Sequence, residues 1–175
     1  MSIGLARGDI TEQDVDAIVN AANPLLLGGG GVDGAIHRAA GPTLLEACRA
    51  LPELSPGVRC PTGDVKVTHG GDLRAKHVLH GVGPIYREHT PEEAARLLRS
   101  VHTRAIEEAA RLGCESVAFP AISCGVYGYP LDKAAAVAVS AVRDGLAANT
   151  TVQRAVFVLF DSRILRVWQR ALMTS

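Results

Sequence analysis

Short apolar runs and amphipathic stretches alternate along the whole chain. Residues 15–20 (VDAIVN), 77–82 (HVLHGV), 116–119 (SVAF) and 155–160 (AVFVLF) are brief and dominated by apolar residues. Runs of this kind fit strands buried on both faces. Between them, apolar positions recur every three or four residues. The clearest such stretch opens at Thr90-Pro91-Glu92-Glu93, a capping box with proline at the first helical position. It continues through Ala94, Leu97, Leu98, Val101, Ala105, Ala109 and Leu112, and Gly113 supplies the stop. Residues 134–146 predict a second long helix, alanine-rich and therefore closely packed, and residues 162–172 a terminal one. Residues 32–40 and 43–51 predict two shorter helices, divided by Gly41-Pro42. Strands separated by helices of this length imply right-handed crossovers and a largely parallel sheet covered on both faces. The pattern therefore predicts a three-layer α/β/α sandwich. No repeat or linker interrupts the 175 residues, so we expect a single domain spanning 1–175.

In such a sheet, ligands sit beyond the carboxyl ends of the strands. The segments after Asn20, Val82, Phe119 and Phe160 therefore carry the candidate chemistry. After the first strand come Asn20-Ala21-Ala22-Asn23-Pro24 and then the run Gly28-Gly29-Gly30-Gly31-Val32-Asp33-Gly34, which enters a helix. Glycines let a backbone approach a ligand closely, and the helix N-terminus beyond them favours an anion such as a pyrophosphate. A glycine run alone reads equally as a surface loop. The immediate helix and the bracketing Asn and Asp favour the anion site. No Gly-Lys-Ser/Thr closes the run, which excludes a triphosphate P-loop. The run also follows its strand only after residues 21–27, which does not suit a dinucleotide fingerprint.

A second small-residue loop, Pro120-Ala121-Ile122-Ser123-Cys124-Gly125-Val126-Tyr127-Gly128-Tyr129-Pro130, also opens onto a helix. Its amides from Ser123 to Tyr127 suit a second anion cradle. It holds two of the chain's three tyrosines, in a sequence with only 4% aromatics. Tyr127, between small residues, is placed to lie against a sugar or base, whereas Tyr129 reads as a cap on the core. Asp9 stands in Gly8-Asp9-Ile10-Thr11, where it fits either a turn cap or an acceptor for an exocyclic amine. Phe160 fits either base stacking or the core.

Charge narrows the function classes. Eighteen acids balance eighteen bases, so no basic excess draws the chain to nucleic-acid backbones. No apolar run reaches the length of a membrane span, and no basic start with an apolar block marks a leader. Cys48, Cys60, Cys114 and Cys124 are widely spaced with no CxxC, which reads as reduced thiols and a cytoplasmic setting. We expect neither a metal site nor a cofactor. His77 and His80 stand three apart on a strand, so they point to opposite faces. His37 reads as structural, and Arg96, Arg99 and Arg104 as a solvated helix face.

Six blocks together resemble a macrodomain of the MacroD type. They are Gly8-Asp9-Ile10-Thr11, Ile18-Val19-Asn20-Ala21-Ala22-Asn23, Gly29-Gly30-Gly31-Val32-Asp33-Gly34-Ala35-Ile36-His37, Cys60-Pro61-Thr62-Gly63, Val82-Gly83-Pro84 and Ile122-Ser123-Cys124-Gly125-Val126-Tyr127-Gly128-Tyr129-Pro130. They cover nearly the whole chain in the family's order. The resemblance implies a mixed-sheet α/β/α sandwich that binds ADP-ribose. It also implies hydrolysis of mono-ADP-ribose from acidic protein side chains and of O-acetyl-ADP-ribose. By the same resemblance, Asp9 binds the adenine amine, with Ile10 beside it and Phe160 packed on the ring. Ala22, Gly30, Gly31 and Val32 line one side of the ligand, and Ser123, Gly125, Val126 and Tyr127 the other. Asn23 orients the distal ribose, Tyr127 packs against it, and Asp33 stands near the scissile bond. The chain departs from the family in carrying Cys124 for a frequent Thr, Tyr127 for a frequent Phe, and Ile85-Tyr86 where a Trp often follows Gly-Pro.

Two catalytic readings follow. Either Asp33 activates the water, or a ligand phosphate does so while Asp33 positions it. Nearby phosphates raise the basicity of Asp33, and the helix dipole lowers it. Asn23 is neutral and cannot be a base. The expected partners are ADP-ribose, mono-ADP-ribosylated proteins and O-acetyl-ADP-ribose, with nucleic acid only at ADP-ribosylated ends and the chain a monomer. The alternative is a reader module that binds ADP-ribose without cutting it. A single-strand RNA binder is the least favoured, since such proteins need basic grooves and stacking platforms.

Overall fold

A computed structural model describes all of residues 1–175. The strands are β1 (Ser2–Arg7), β2 (Ala17–Ala21), β3 (Val65–His69), β4 (His77–Gly81), β5 (Ser116–Phe119) and β6 (Arg154–Leu159). The helices are α1 (Gly31–Ala40), α2 (Pro42–Ala50), α3 (Pro91–Arg111), α4 (Leu131–Ala147) and α5 (Ser162–Thr174). One mixed sheet runs β1-β6-β5-β2-β4-β3. Every neighbouring pair is parallel except β3–β4. Residues 70–76, which join β3 to β4, are too few for a crossover, so that pair must turn back on itself.

The apolar pattern identifies the four inner strands and misses β1 and β3. Both lie at sheet edges and are only partly buried. Neither therefore carries the continuous apolar run that marks a strand covered on both sides. The strand after Val15 starts at Ala17, and β6 ends at Leu159, which leaves Phe160 outside the ladder.

Alternation along the strands sends side chains to two cores. Val19, Leu79, Phe119 and Phe157 face α3, α4 and α5, in a cluster of 26 buried residues that includes Trp168. Ile18, Val78 and Val156 face α1 and α2, in a cluster of 16 that includes Ile36 and Leu44. The α/β/α sandwich follows. The alanines of α4 at 134, 135, 138 and 141 are all buried, as close packing requires. No helix is long and apolar enough to cross a membrane.

His102 of α3 is buried in the larger core. It stacks on Phe119 at 5.5 Å, and its Nδ1 lies 2.7 Å from the Leu98 carbonyl, which fixes the donor there. Burial pushes its pKa down to about 4, partly offset by that hydrogen bond. The unfolded chain therefore takes up a proton below its ordinary value of about 6.5 that the folded chain refuses. Stability falls as pH drops from 6.5 toward 4, by about 2 kcal/mol at pH 5 from this group. Urea midpoints measured between pH 7 and 5 should show this slope, and His102→Met should remove its share, leaving that of His80, whose pKa burial also lowers.

Candidate functional site

β1, β2, β5 and β6 are parallel, so their carboxyl ends share one rim of the sheet. Asp9, Asn23, Ser123 and Phe160 all follow those ends. The first wall is the glycine loop. Asn23 closes it: its Nδ2 donates to the Gly28 carbonyl at 3.1 Å, and its Oδ1 accepts from the Leu26 amide at 3.2 Å. Helix α1 then starts with Gly30 as a cap that offers no side-chain acceptor. The amides of Gly31, Val32 and Asp33 make no hydrogen bond within the chain. An uncapped helix start of this kind presents partial positive charge and free donors to the rim.

Asp33 lies in that first turn and is only 5% exposed. Its Oδ1 accepts from Asn20 Nδ2 at 2.8 Å and lies 3.4 Å from His37 Nε2. Its Oδ2 turns toward the loop: a methyl built on Gly29 would stand 3.1 Å from Asp33 Oδ2 and 3.5 Å from Asn23 Nδ2. Asn23 and Asp33 therefore converge on the Gly29 backbone. Burial raises the Asp33 pKa, while the Asn20 hydrogen bond and His37 pull it down. The carboxyl is thus more basic than a surface aspartate.

The second wall is the loop after β5. Ser123 adopts φ 66°, a left-handed conformation that is costly for a residue with a Cβ. Its carbonyl accepts from the Tyr129 amide at 2.9 Å, and the Gly125 carbonyl accepts from Gly128 at 3.0 Å. Tyr86 braces the outside: its amide donates to the Tyr127 carbonyl at 2.9 Å, and its ring lies 4.7 Å from that of Tyr129. This bracing occupies the place where the family often carries a tryptophan. The carbonyls of Ser123, Gly125 and Tyr127 are thereby paired. The amides of Ser123, Gly125, Val126 and Tyr127 have no partner in the chain. Tyr129 is buried in the core, as expected. Tyr127 is partly exposed; burial first, and then the charges of Asp33 and Glu88, push its phenol up. Val126 is 90% exposed over this loop.

The third feature is the corner beside β1. Asp9 caps a short 3-10 turn, its Oδ1 accepting from the Thr11 amide at 2.9 Å and the Thr11 hydroxyl at 2.7 Å. The cap reading is thus correct, and it leaves Oδ2 without a partner. Ile10 is buried beneath it, with its amide unpaired. The Gly8 amide donates to the Leu159 carbonyl at 3.1 Å, which brings Phe160 to the same corner. Phe160 is 86% exposed and so is not a core residue. Ala22 is buried at the base of the rim, its amide held by the Gly81 carbonyl at 2.9 Å.

All the residues singled out from sequence thus stand on one rim. Asn20, His80 and Thr68, which form a chain of contacts behind Asp33, were not named as site residues, and His37 lies 3.4 Å from Asp33. The i,i+4 spacing of Asp33 and His37 on a helix was the one available signal. Burial pushes the Cys124 thiol up to about 12, which disfavours the thiolate that a nucleophile needs.

A Macro domain family model matches residues 19–138. The chain is 51% identical over 174 residues to "Macro domain-containing protein XAC3343" of Xanthomonas axonopodis pv. citri, covering 99% of this chain and 97% of that protein. It is 48% identical over 170 residues to a protein of Enterobacter cloacae subsp. cloacae named O-acetyl-ADP-ribose deacetylase, covering 97% of this chain and 93% of that one. A mutant macrodomain of Oceanobacillus iheyensis, solved with ADPR, superposes with a TM-score of 0.91 at 42% identity, covering 97% of this chain and 91% of that chain. The family model spans more than half of the chain, and these relatives match it almost end to end; the chain belongs to the macro domain family.

Proposed function

We propose that this protein is a MacroD-type hydrolase of ADP-ribose esters. It removes mono-ADP-ribose from Asp and Glu side chains of proteins and deacetylates O-acetyl-ADP-ribose. The observation that carries this reading is the buried Asp33 carboxylate, with Oδ2 turned toward Asn23 between two cradles of unpartnered amides. The cradles suit a diphosphate. The free Oδ2 of Asp9 and the unpaired Ile10 amide suit adenine, with exposed Phe160 as the stacking surface. Asn23 and Tyr127 take the distal ribose. The enterobacterial relative named for deacetylation and the Oceanobacillus macrodomain solved with ADPR support the same assignment.

In the reaction, Asp33 Oδ2 accepts a proton from water as the water oxygen bonds to the ester carbonyl carbon. The ribose oxygen then leaves and recovers a proton, giving a free carboxylic acid and ADP-ribose. A base in this role needs raised basicity and an oxygen free of other partners, and Asp33 has both.

The test is release of ADP-ribose from a protein mono-ADP-ribosylated on glutamate, alongside release of acetate from O-acetyl-ADP-ribose. Turnover of both is expected. Tight ADP-ribose binding with neither product would leave the reader module instead. Phe160→Ala is expected to weaken ADP-ribose binding about tenfold in calorimetry, from lost base stacking. Because Phe160 is already exposed, its melting temperature should stay within about 2 °C of the parent. Unchanged affinity would remove Phe160 from the site.

A further inference from the structure

The most completely determined polar network in the fold lies behind the cleft. Parallel pairing sets Asn20 of β2 beside His80 of β4, and alternation points both toward α1 and α2. Both are fully buried. Asn20 Nδ2 lies 2.8 Å from Asp33 Oδ1 and 3.2 Å from His80 Nδ1. His80 Nε2 lies 2.8 Å from Thr68 Oγ1, and that hydroxyl lies 3.1 Å from the His69 carbonyl.

Each proton in this chain can be assigned. The Asp33 carboxylate only accepts, so Asn20 turns its amino group to it and to His80 Nδ1; Thr68 gives its single hydroxyl hydrogen to the His69 carbonyl, and Cys48 Sγ lies 3.8 Å from His80 Nε2. Thr68 then accepts from His80, whose proton must be on Nε2. A neutral ring protonated at Nε2 offers its Nδ1 lone pair to Asn20. Asn20 must answer with its amino group, and that group's second hydrogen reaches Asp33. The Asn20 Oδ1 is left buried without a partner. Turned the other way, Asn20 would set an oxygen against both the Asp33 carboxylate and the His80 lone pair. We propose that His80, with Thr68 behind it and Asn20 in front, is a positioning residue that fixes the orientation and charge of the Asp33 carboxylate. It rests on the reading of Asp33 as the group that handles water.

Burial, and then His37, hold His80 neutral, with its pKa lowered to about 3. The ring therefore stays uncharged at neutral pH, and its contacts with Asn20 and Thr68 set the tautomer. The other titratable groups facing Asp33 are His37 on its own helix, Tyr127 across the cleft, and Cys48 of α2, whose thiol burial pushes up to about 11. Arg59 lies beyond Cys48. Tyr127 and Cys48 are uncharged at neutral pH. Asn20 is accordingly the partner that most favours the charged carboxylate, ahead of His37.

The test does not need turnover. Carboxyl carbon NMR of Asp33 in the ligand-free protein should show its titration move up by about one pH unit in His80→Phe, because Asn20 is then free to turn its oxygen to Asp33. His80→Asn, which puts an amide oxygen near the Nδ1 position, should recover most of that shift. Thr68 bonds to His80 and the His69 carbonyl and not to Asp33, so Thr68→Val should move the titration in the same direction. Imidazole nitrogen shifts should report His80 as neutral and protonated on Nε2 from pH 5 to 8. Where the hydrolase turns over, kcat should fall about tenfold with KM nearly unchanged, and the acid limb should follow the NMR titration. A wild-type Asp33 titration in folded His80→Phe and Thr68→Val, or a His80 protonated on Nδ1, overturns the proposal. A wild type that shows the NMR shifts but no hydrolysis supports the coupling and defeats only the hydrolase reading.

Discussion

Asp33→Ala is expected to slow ester hydrolysis by about 10²–10⁴-fold, the usual cost of losing a positioned general base. Binding of ADP-ribose should be retained or slightly tightened. Two physical effects set these opposite outcomes. Asp33 Oδ1 is already held by Asn20 and lies 3.4 Å from His37, so only Oδ2 is free to take a proton from water. The diphosphate donors, in contrast, are backbone amides that the substitution leaves in place. Removing a carboxylate beside them also removes repulsion of a bound diphosphate. Burial makes Asp33 costly to ionise, which offsets the loss of the acceptor for buried Asn20, so the variant's stability at neutral pH should stay close to the parent's. Turnover and calorimetric affinity, measured on the same preparations, read this split. Equal turnover by the two proteins would place the chemistry elsewhere. The wild-type rate should also fall on acidification with an apparent pKa above the ordinary aspartate range, because the base must be ionised to act.

The two loops and their free amides were legible in the sequence because they depend on residue types with few alternative uses. A glycine run that enters a helix without a capping side chain leaves amides free, and the structure has that arrangement at Gly31, Val32 and Asp33. The central strands were legible for a similar reason: only strands covered on both faces read as unbroken apolar runs. β1 and β3 were not, because an edge strand with Gly4 or Lys66 in it looks like any partly polar loop. Asn20, His80 and Thr68 were hidden for a different reason. Their contact depends on the register between β2 and β4 and on a hairpin that returns β3 beside β4. Asn20 lies 60 positions from His80, and no local pattern carries that pairing. Phe160 was undecided between core and surface because the pattern cannot say whether a strand ends before or after its last apolar residue. The ladder ends one residue earlier, at Leu159.

Gly83→Ala should cost the protein most of its affinity for ADP-ribose while sparing the catalytic carboxylate. Gly83 lies directly under the second loop. A Cβ there would stand 2.2 Å from Ser123 Oγ and 2.6 Å from Ile122 Cγ2, far inside contact distance. The Ile122 contact is the one that does not yield easily. Ile122 is buried in the core; the Ser123 hydroxyl is unpaired and can rotate, but its Cβ, 3.4 Å from the new methyl, is held with the backbone at φ 66°. The loop itself must therefore lift, and it carries the four free amides of Ser123, Gly125, Val126 and Tyr127. A hydrogen bond to a charged group contributes about 1.5–3 kcal/mol, so misplacing two of them weakens binding by at least about a hundredfold. The overpacking should also lower stability by about 1–3 kcal/mol. Asn23, Asp33 and the uncapped start of α1 lie on the opposite wall and keep their contacts. The loss should thus appear in Kd and KM far more than in kcat at saturating substrate. Calorimetric titration with ADP-ribose, read beside a melting curve, separates the two effects. A lowered melting temperature with an unchanged Kd would mean that the amides of this loop do not hold the diphosphate.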